Sequence, residues 1–251
     1  MPFTAPRISN THDSHFQTRH HSSSNSSKNN TTIPEPAANI PKANIWAAGL
    51  RANEEWATRT AQTDPDFFPN CARGQSPKIL WIGCSDSRMP ETTLLGLKPG
   101  DVFTHRNIAN IISPTDINML SVVDFAVKHL KVEHIVVAGH TSCGGVSATL
   151  GNAKLGVIDV WLQPMRLLRE RHAEELEQLE GLEKSNLLAK LNVQAGVEGL
   201  KRISTVIDAM QAGQTQVHGV LLDISSGRLE ELEQEEDERL GSNRVAAFLT
   251  R

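Results

Sequence analysis

The segment that decides the fold reads KILWIGCS and occupies positions 78–85. Its apolar residues follow one another directly, without the polar alternation of a strand that faces water on one side. A short continuous apolar run of this kind is typical of a strand that is buried on both faces of a parallel sheet. The charged stretch DSR comes immediately afterwards, at positions 86–88, so the strand is expected to end in polar chemistry.

Working outward from this segment, strand and helix patterns alternate along the chain. Further strands are predicted in DVFTHRNIAN (101–110), EHIVVAGH (133–140) and VHGVLLDISSGRLEEL (217–232), the last with a Ser-Ser-Gly turn and a short continuation. Helical spacing covers 44–63, which ends before Asp64-Pro65, 118–131, much of 157–190, and 192–213, where we expect one helix ending at Gly213. The alternation predicts an α/β fold with a largely parallel central β-sheet flanked by helices.

Composition excludes several classes of protein. The chain has 251 residues, of which 39% are hydrophobic, and a formal net charge of −4. That charge gives no reason to expect a nucleic-acid partner, and no apolar run is long enough for a membrane span. The chain has three cysteines, Cys71, Cys84 and Cys143, and this low, odd number argues against a disulfide framework. Their number favours a reducing compartment, and we expect a cytoplasmic protein.

The first 40 residues differ from the remainder. They are rich in Ser, Asn, Thr and Pro and lack periodic apolar positions, so we predict a disordered tail at 1–40 and a folded domain at 41–251. The tail has few acidic residues and carries Arg7 and Arg19, features shared with mitochondrial targeting segments. A targeting segment, and therefore a mitochondrial location, is the alternative interpretation.

Two of the predicted strands end in residues that bind metals. Cys84 and Asp86 follow the first strand, and the motif GHTSCGG at 139–145 supplies His140 and Cys143 after the third. Functional groups gather at the carboxyl ends of strands in parallel sheets, so these four side chains would converge if the two strands are neighbours. Two thiolates, an imidazole and a carboxylate suit Zn²⁺. The glycines after Cys143 allow close backbone approach and could open a helix whose amides face an anion.

The role of Asp86 stays open at this point. Positions two apart in an extended segment face the same side, so Asp86 can turn to a metal with Cys84 or to the guanidinium of Arg88. A carboxylate held by Arg88 would leave the fourth zinc position to water, whose pKa would fall toward about 7. A carboxylate on the metal would instead complete a closed structural site.

The segments CSDSR at 84–88 and GHTSCGG at 139–145, with DVFTHRNIAN and SVVDFAVKHL between them, resemble a β-class carbonic anhydrase. The resemblance implies a catalytic domain at 41–251 with one Zn²⁺ per chain, held by Cys84, His140 and Cys143. It implies that Asp86 pairs with Arg88 in the active state and binds zinc in a resting state.

The same resemblance implies a reaction and an assembly. The reaction is the reversible hydration of CO₂ to bicarbonate and a proton, with zinc-bound hydroxide as nucleophile and the Asp86–Arg88 dyad controlling the fourth zinc position. The assembly is a homodimer or a homotetramer. Trp81 and Arg106 match two positions of a bicarbonate-regulated pocket found in some members, although the chain lacks the tyrosine that usually completes it.

Three alternative functions remain compatible with the sequence. The same scaffold and zinc site occur in hydrolases of carbonyl sulfide or carbon disulfide, which pocket size alone would distinguish. A non-catalytic, zinc-stabilised protein would keep Asp86 on the metal. A thiol redox protein using Cys84 and Cys143 is disfavoured because the chain has no C-x-x-C motif.

Overall fold

The computed structural model describes residues 44–233 and 238–247. The predicted tail at 1–40 lies outside these residues, so the division of the chain into a tail at 1–40 and a domain at 41–251 stays a prediction. The chain divides into two units between Thr58 and Arg59, inside the first helix. The first helix is therefore described separately from the sheet and the helices that follow it.

The helices and strands follow one another as the sequence predicts, with several short helices added. The strands are β1 (Ile79–Cys84), β2 (Val102–Asn107), β3 (His134–His140), β4 (Gln216–Asp223) and β5 (Arg228–Glu231). The helices are α1 (Ile45–Thr63), α2 (Phe67–Arg73), α3 (Glu91–Leu95), α4 (Ile117–Phe125), α5 (Gly144–Leu150), α6 (Val157–Trp161), α7 (Gln163–Arg171), α8 (Ala173–Glu177), α9 (Gly181–Leu200), α10 (Ser204–Gln211) and α11 (Glu238–Ala246). A 3₁₀ turn occupies Ile108–Asn110, and a π-helical turn occupies Ala126–Leu130.

The strands form one sheet in the order β2-β1-β3-β4-β5. The first four strands are parallel, and β5 pairs antiparallel with β4 through the predicted Ser-Ser-Gly turn. The predicted α/β fold with a largely parallel sheet is confirmed. Because β1 and β3 are neighbours, with Gly83 opposite Ala138, their carboxyl ends lie side by side. This adjacency brings the two polar strand ends of the sequence together.

Helix α9 packs against β3 and β4 at very short range. A Cβ atom added to Gly139 would lie 2.6 Å from Cγ2 of Val193, and one added to Gly196 would lie 3.1 Å from Val137. Real Cβ atoms essentially never approach to the distance found at Gly139, and the distance at Gly196 would require its neighbour to shift, so glycine on both elements favours the close approach of helix and sheet. The close packing fixes the carboxyl end of β3, where His140 lies.

Two helices differ from the sequence predictions. The single helix predicted for 192–213 is wrong, because α9 ends at Leu200 and α10 begins only at Ser204. Between them, the N–H of Ile203 donates to the carbonyl of Leu200 in a tight turn, and the redirected α10 buries Val206 and Ile207. The helix predicted for 118–131 exists, but its last turn widens to the π form at Ala126–Leu130. Neither change is marked by Pro in the sequence, and Gly199, in the last turn of α9, is not by itself enough to predict that the helix ends there.

Helix α1 follows its predicted range closely. The side chain of Asn44 accepts a hydrogen bond of 2.9 Å from the N–H of Ala47, which caps the first turn, and the helix ends at Thr63 before Asp64-Pro65. Its residues Ile45 and Trp46 are largely exposed. None of the helices within 44–233 and 238–247 combines the length and the apolar character needed to cross a bilayer.

Candidate metal centre

Three of the predicted ligands converge where β1 and β3 end. Cys84 is the last residue of β1, His140 is the last residue of β3, and Cys143 follows three residues later. Their ligand atoms, two sulfurs and one imidazole nitrogen, all lie within 4.8 Å of one another. All three residues are buried, with 5%, 1% and 2% of their surfaces exposed. Such a cluster of polar atoms in the protein interior requires a common partner or strong mutual interactions.

The fourth predicted ligand, Asp86, is engaged elsewhere. Its carboxylate accepts hydrogen bonds from both Nε and a terminal nitrogen of Arg88, at 2.9 and 2.8 Å, and a third from the N–H of Arg88. The two-pronged contact lowers the pKa of Asp86 well below its usual range, so the carboxylate is ionised. Oδ2 of Asp86 lies 3.8 Å from Nε2 of His140, at the edge of the cluster.

Two arginines hold the loop that follows β1. Besides Asp86, a terminal nitrogen of Arg88 donates to the carbonyl of Ser142 on the other ligand loop, at 3.2 Å. Arg106 on β2 donates through Nε to the carbonyl of Cys84 at 2.9 Å, and through a terminal nitrogen to the carbonyl of Asp86. The β1 loop is therefore fixed by guanidinium groups on both of its sides.

The two sulfurs differ in their acid strength. A hydrogen bond from the Cys143 thiol lowers the pKa of Cys84 to about 4, with further help from His140 and from the backbone N–H groups of Asp86 and Ala109. The Cys84 thiolate accepts this hydrogen bond and so stabilises the protonated form of Cys143. This interaction raises the pKa of Cys143, and burial raises it further. The pair therefore carries one negative charge at neutral pH, and only a cation could stabilise a second thiolate here.

Cys143 immediately precedes helix α5, which begins at Gly144. The backbone N–H groups of Gly145 and Val146 approach the Cys143 sulfur and act to lower its pKa. The sequence predicted amides facing an anion here, and the group that they face is the sulfur of Cys143 itself. A Cβ added to Gly145 would lie 2.7 Å from Cβ of Ala109, so glycine is what lets the helix start this close to the site.

His140 is oriented as a metal ligand. Its Nδ1 lies 2.9 Å from the carbonyl of Thr141, which can only accept, so Nδ1 carries the proton and Nε2 has the free lone pair. Among the described residues, the buried Nε2 has no hydrogen-bond partner. Burial opposes a charge on the ring, but the Cys84 thiolate and the carbonyl of Thr141 outweigh it and raise the pKa of His140. A buried nitrogen without a partner beside two sulfurs fits Zn²⁺.

The remaining sequence-predicted positions lie around this cluster. Trp81 is buried on β1, with 1% of its surface exposed, and its indole packs against Gly83. Gly83 pairs with Arg106 in the sheet, so Trp81 and Arg106 lie on the same face, two residues apart along the strands. Cys71 is exposed on α2 and belongs to no metal cluster of the described residues.

One contributor to the site carries no side-chain signal in the sequence. Ala109 adopts the left-handed conformation, at φ 62°, and its N–H acts on the Cys84 sulfur. Asn192 of α9 donates a 2.8 Å hydrogen bond to the carbonyl of Ala109 and thereby holds this loop from the helix side. A backbone amide used in this way could not be found from residue types alone.

Comparison with known proteins gives a consistent result. The family model described as carbonic anhydrase matches residues 79–229. A carbonic anhydrase of Emericella nidulans is 41% identical over 185 residues, which cover 73% of this chain and 81% of the relative.

Solved structures agree with the sequence comparison. The crystal structure of a β-carbonic anhydrase of Aspergillus fumigatus is 51% identical, with a TM-score of 0.80 over 82% of this chain and 99% of that one. A structure from Sordaria macrospora, from a study of two tetrameric β-carbonic anhydrases, is 49% identical, with a TM-score of 0.75 over 77% and 100% of the two chains.

Proposed function

Because this chain belongs to the β-class carbonic anhydrase family, we propose that it catalyses the reversible hydration of CO₂ to bicarbonate and a proton. The observation that carries the proposal is the buried Cys84–His140–Cys143 cluster with the ionised Asp86–Arg88 pair at its edge. A purely structural metal site would not need the Asp86 carboxylate, which Arg88 holds 3.8 Å from Nε2 of His140. The arrangement is that of a site with a reactive position.

One Zn²⁺ per chain would be held by the sulfurs of Cys84 and Cys143 and by Nε2 of His140. When bound, zinc lowers the pKa of a water molecule so that hydroxide is available near neutral pH. The lowered pKa of Cys84 favours the thiolate that a zinc ligand must be. The raised pKa of Cys143 means that its proton would have to leave when the metal binds.

Asp86 would orient the nucleophile. Arg88 occupies both carboxylate oxygens of Asp86 and keeps the group ionised, so Oδ2 can accept a hydrogen bond from a hydroxyl group near His140. The conformation on Arg88 supports the interpretation in which the fourth metal position is open. Binding of Asp86 to zinc in a resting state stays a proposal that the sequence resemblance alone carries, and so does regulation through Trp81 and Arg106.

We further propose that the enzyme is a homo-oligomer, a dimer or a tetramer. The Sordaria macrospora relatives are tetrameric by their description. Apolar side chains on α4 and α6 are largely exposed in the single chain, which a second copy would cover: Ile117, Val157 and Val160. A cytoplasmic location is proposed from the three free cysteines, and fractionation of cells would test it.

The decisive experiment is stopped-flow CO₂ hydration from pH 6.5 to 9, with zinc measured on the same sample. We expect one zinc per chain and activity that rises with pH, as a hydroxide nucleophile requires. Zinc without hydration at any pH would contradict the proposal. Turnover of carbonyl sulfide in that sample would then indicate the sulfur hydrolase, and inactivity on both would indicate a zinc-stabilised structural protein.

A further inference from the structure

Thr141 lies between His140 and Cys143 in the sequence and forms several hydrogen bonds to the end of β4 and the residue after it. Its N–H donates to the carbonyl of Leu222 at 2.9 Å, one step beyond the last paired residues of β3 and β4. Its hydroxyl accepts a 3.0 Å bond from the N–H of Ile224 and donates to Oδ1 of Asp223 at 3.4 Å. Thr141 is 8% exposed, so these contacts are formed largely away from water.

Asp223 is itself held firmly at the turn after β4. Its carboxylate accepts from the hydroxyls of Ser225 and Ser226, at 2.8 and 2.6 Å, and from the N–H of Ser225 at 2.9 Å. These donors lower the pKa of Asp223 and keep it charged. The acceptor of the Thr141 hydroxyl is therefore a fixed anion and not a mobile surface group.

The carbonyl of Thr141 connects this anchor to the metal site. With its N–H and hydroxyl both bonded to β4, Thr141 has little freedom to rotate, and its carbonyl oxygen is left 2.9 Å from Nδ1 of His140. That contact determines which ring nitrogen carries the proton and where Nε2 points.

We propose that Thr141 and Asp223 are positioning residues for His140, fixing the imidazole so that Nε2 is directed at the metal before the metal binds. The inference rests on the proposed zinc site and extends it to two residues outside the ligand motifs. Neither residue belongs to the Cys84–His140–Cys143 cluster. Their effect passes through the carbonyl of Thr141, so loss of the hydroxyl should loosen the metal more than it disturbs the fold.

The test measures release of zinc from the full-length, zinc-loaded protein into excess chromogenic chelator at pH 7.5. Thr141→Val, which keeps the side-chain shape and removes the hydroxyl, should release zinc about 10-fold faster, the lower end of the cost of losing a ligand's direct partner, because the carbonyl that contacts His140 stays in the chain. Thr141→Ser, which restores the hydroxyl, should release zinc within about threefold of the wild-type rate.

A matched control and a second variant complete the test. Thr149→Val removes another buried hydroxyl, bonded only to the carbonyl of Gly145 within α5, and should leave the release rate unchanged. Asp223→Ala should accelerate release as Thr141→Val does, and the double variant should be no faster than the faster single one, because both act through one contact. Absorption of the Co²⁺-substituted proteins would report the changed ligand arrangement directly.

The outcomes separate the inference from the proposed function. If the wild type binds zinc and both Thr141→Val and Asp223→Ala release it at the wild-type rate, the positioning role is overturned and the proposed function is untouched. Should Thr141→Val fail to fold, Asp223→Ala decides by the same measurement. If the wild type holds no zinc at all, the proposed function fails and the inference fails with it.

Discussion

The two loops that supply the metal ligands are held in opposite ways. The loop at 84–88, after β1, is fixed by the guanidinium groups of Arg88 and Arg106, and part of it faces solvent. The loop at 140–143, after β3, is fixed mainly by backbone and hydroxyl contacts to the end of β4, and it is buried except at Ser142, whose carbonyl also accepts from Arg88. A loop held by arginine side chains can rearrange when another charged partner is offered, whereas a loop held mainly by backbone contacts to a neighbouring strand is more rigid. The first suits the reactive group and the second suits the permanent ligands.

The largest expected effect comes from replacing a metal ligand. It should be the same for both loops, because each supplies a ligand that the metal site requires. Cys84→Ser and Cys143→Ser should each lose zinc, and CO₂ hydration should fall by roughly 10³-fold or more, since the source of the nucleophile is gone. Zinc analysis and stopped-flow assays on the same samples measure both quantities. Cys71→Ser, at the exposed cysteine on α2, is the control and should change neither. Full zinc in either ligand variant would refute the ligand set.

The next effect should separate the two loops. Asp86→Asn and Arg88→Gln leave the three buried ligands in place, so zinc content should stay near one per chain. Hydration should nevertheless fall by about 100-fold, as expected when a group that orients a proton is lost. Lys128→Gln, which breaks an exposed ion pair with Asp124, is the charge-matched control. A fully active Arg88→Gln enzyme would show that the pair has no part in the reaction.

The pH dependence of zinc affinity sharpens the contrast between the sulfurs. Cys84 is a thiolate at neutral pH, whereas the raised pKa of Cys143 keeps its proton on until a metal displaces it. Zinc binding near pH 7 should therefore release at least the proton of Cys143, and affinity should weaken by at least about tenfold for each unit that the pH falls, because His140, whose pKa is raised, also gains a proton as the pH falls. Competition with a chelator from pH 8 to 6 measures this slope. A flat profile would mean that both thiols are ionised before the metal binds.

The smallest expected effect compares the two arginines. Arg106→Met removes the guanidinium donors from the carbonyls of Cys84 and Asp86, of which the Asp86 carbonyl keeps only the N–H of Met89, and should lower the free energy of unfolding by about 1–3 kcal/mol. Arg88→Gln, at a side chain that is 46% exposed, should lower the free energy of unfolding by less than Arg106→Met does. Denaturant unfolding of both zinc-loaded variants tests the pair. Equal losses would mean that the loop after β1 is not held mainly from the β2 side.

Local signals in the sequence were sufficient for the strands and for placing Cys84 and His140 at strand ends, whereas their convergence depends on which strands are neighbours. The apolar run at 79–82 and the polar residues after it placed Cys84 at a strand end, and the adjacency of β1 and β3 brought His140 beside it. The division of the helix predicted for 192–213 was missed, because the turn at Lys201–Ile203 is made by tertiary packing of α10 and not by a residue that breaks helices.

The parts of the site that escaped prediction are contacts between distant segments. Thr141 and Asp223 are 82 residues apart, and their pairing depends on which strand lies beside β3. Every residue except proline has a backbone N–H, so the sequence gives no sign that the N–H of Ala109 acts on the Cys84 sulfur. The sequence also left Asp86 between two partners, and the structure has it on Arg88.

Arg88 bridges the two loops, since it binds both the carboxylate of Asp86 and the carbonyl of Ser142. The bridge makes the two loops thermodynamically linked. If metal binding steadies the loop that carries Ser142, it must also favour the Asp86 conformation on Arg88, and by reciprocity that conformation must tighten the metal by the same factor. Through the Arg88 guanidinium, metal occupancy of the buried cluster would shift the conformational equilibrium of the partly exposed Asp86 carboxylate.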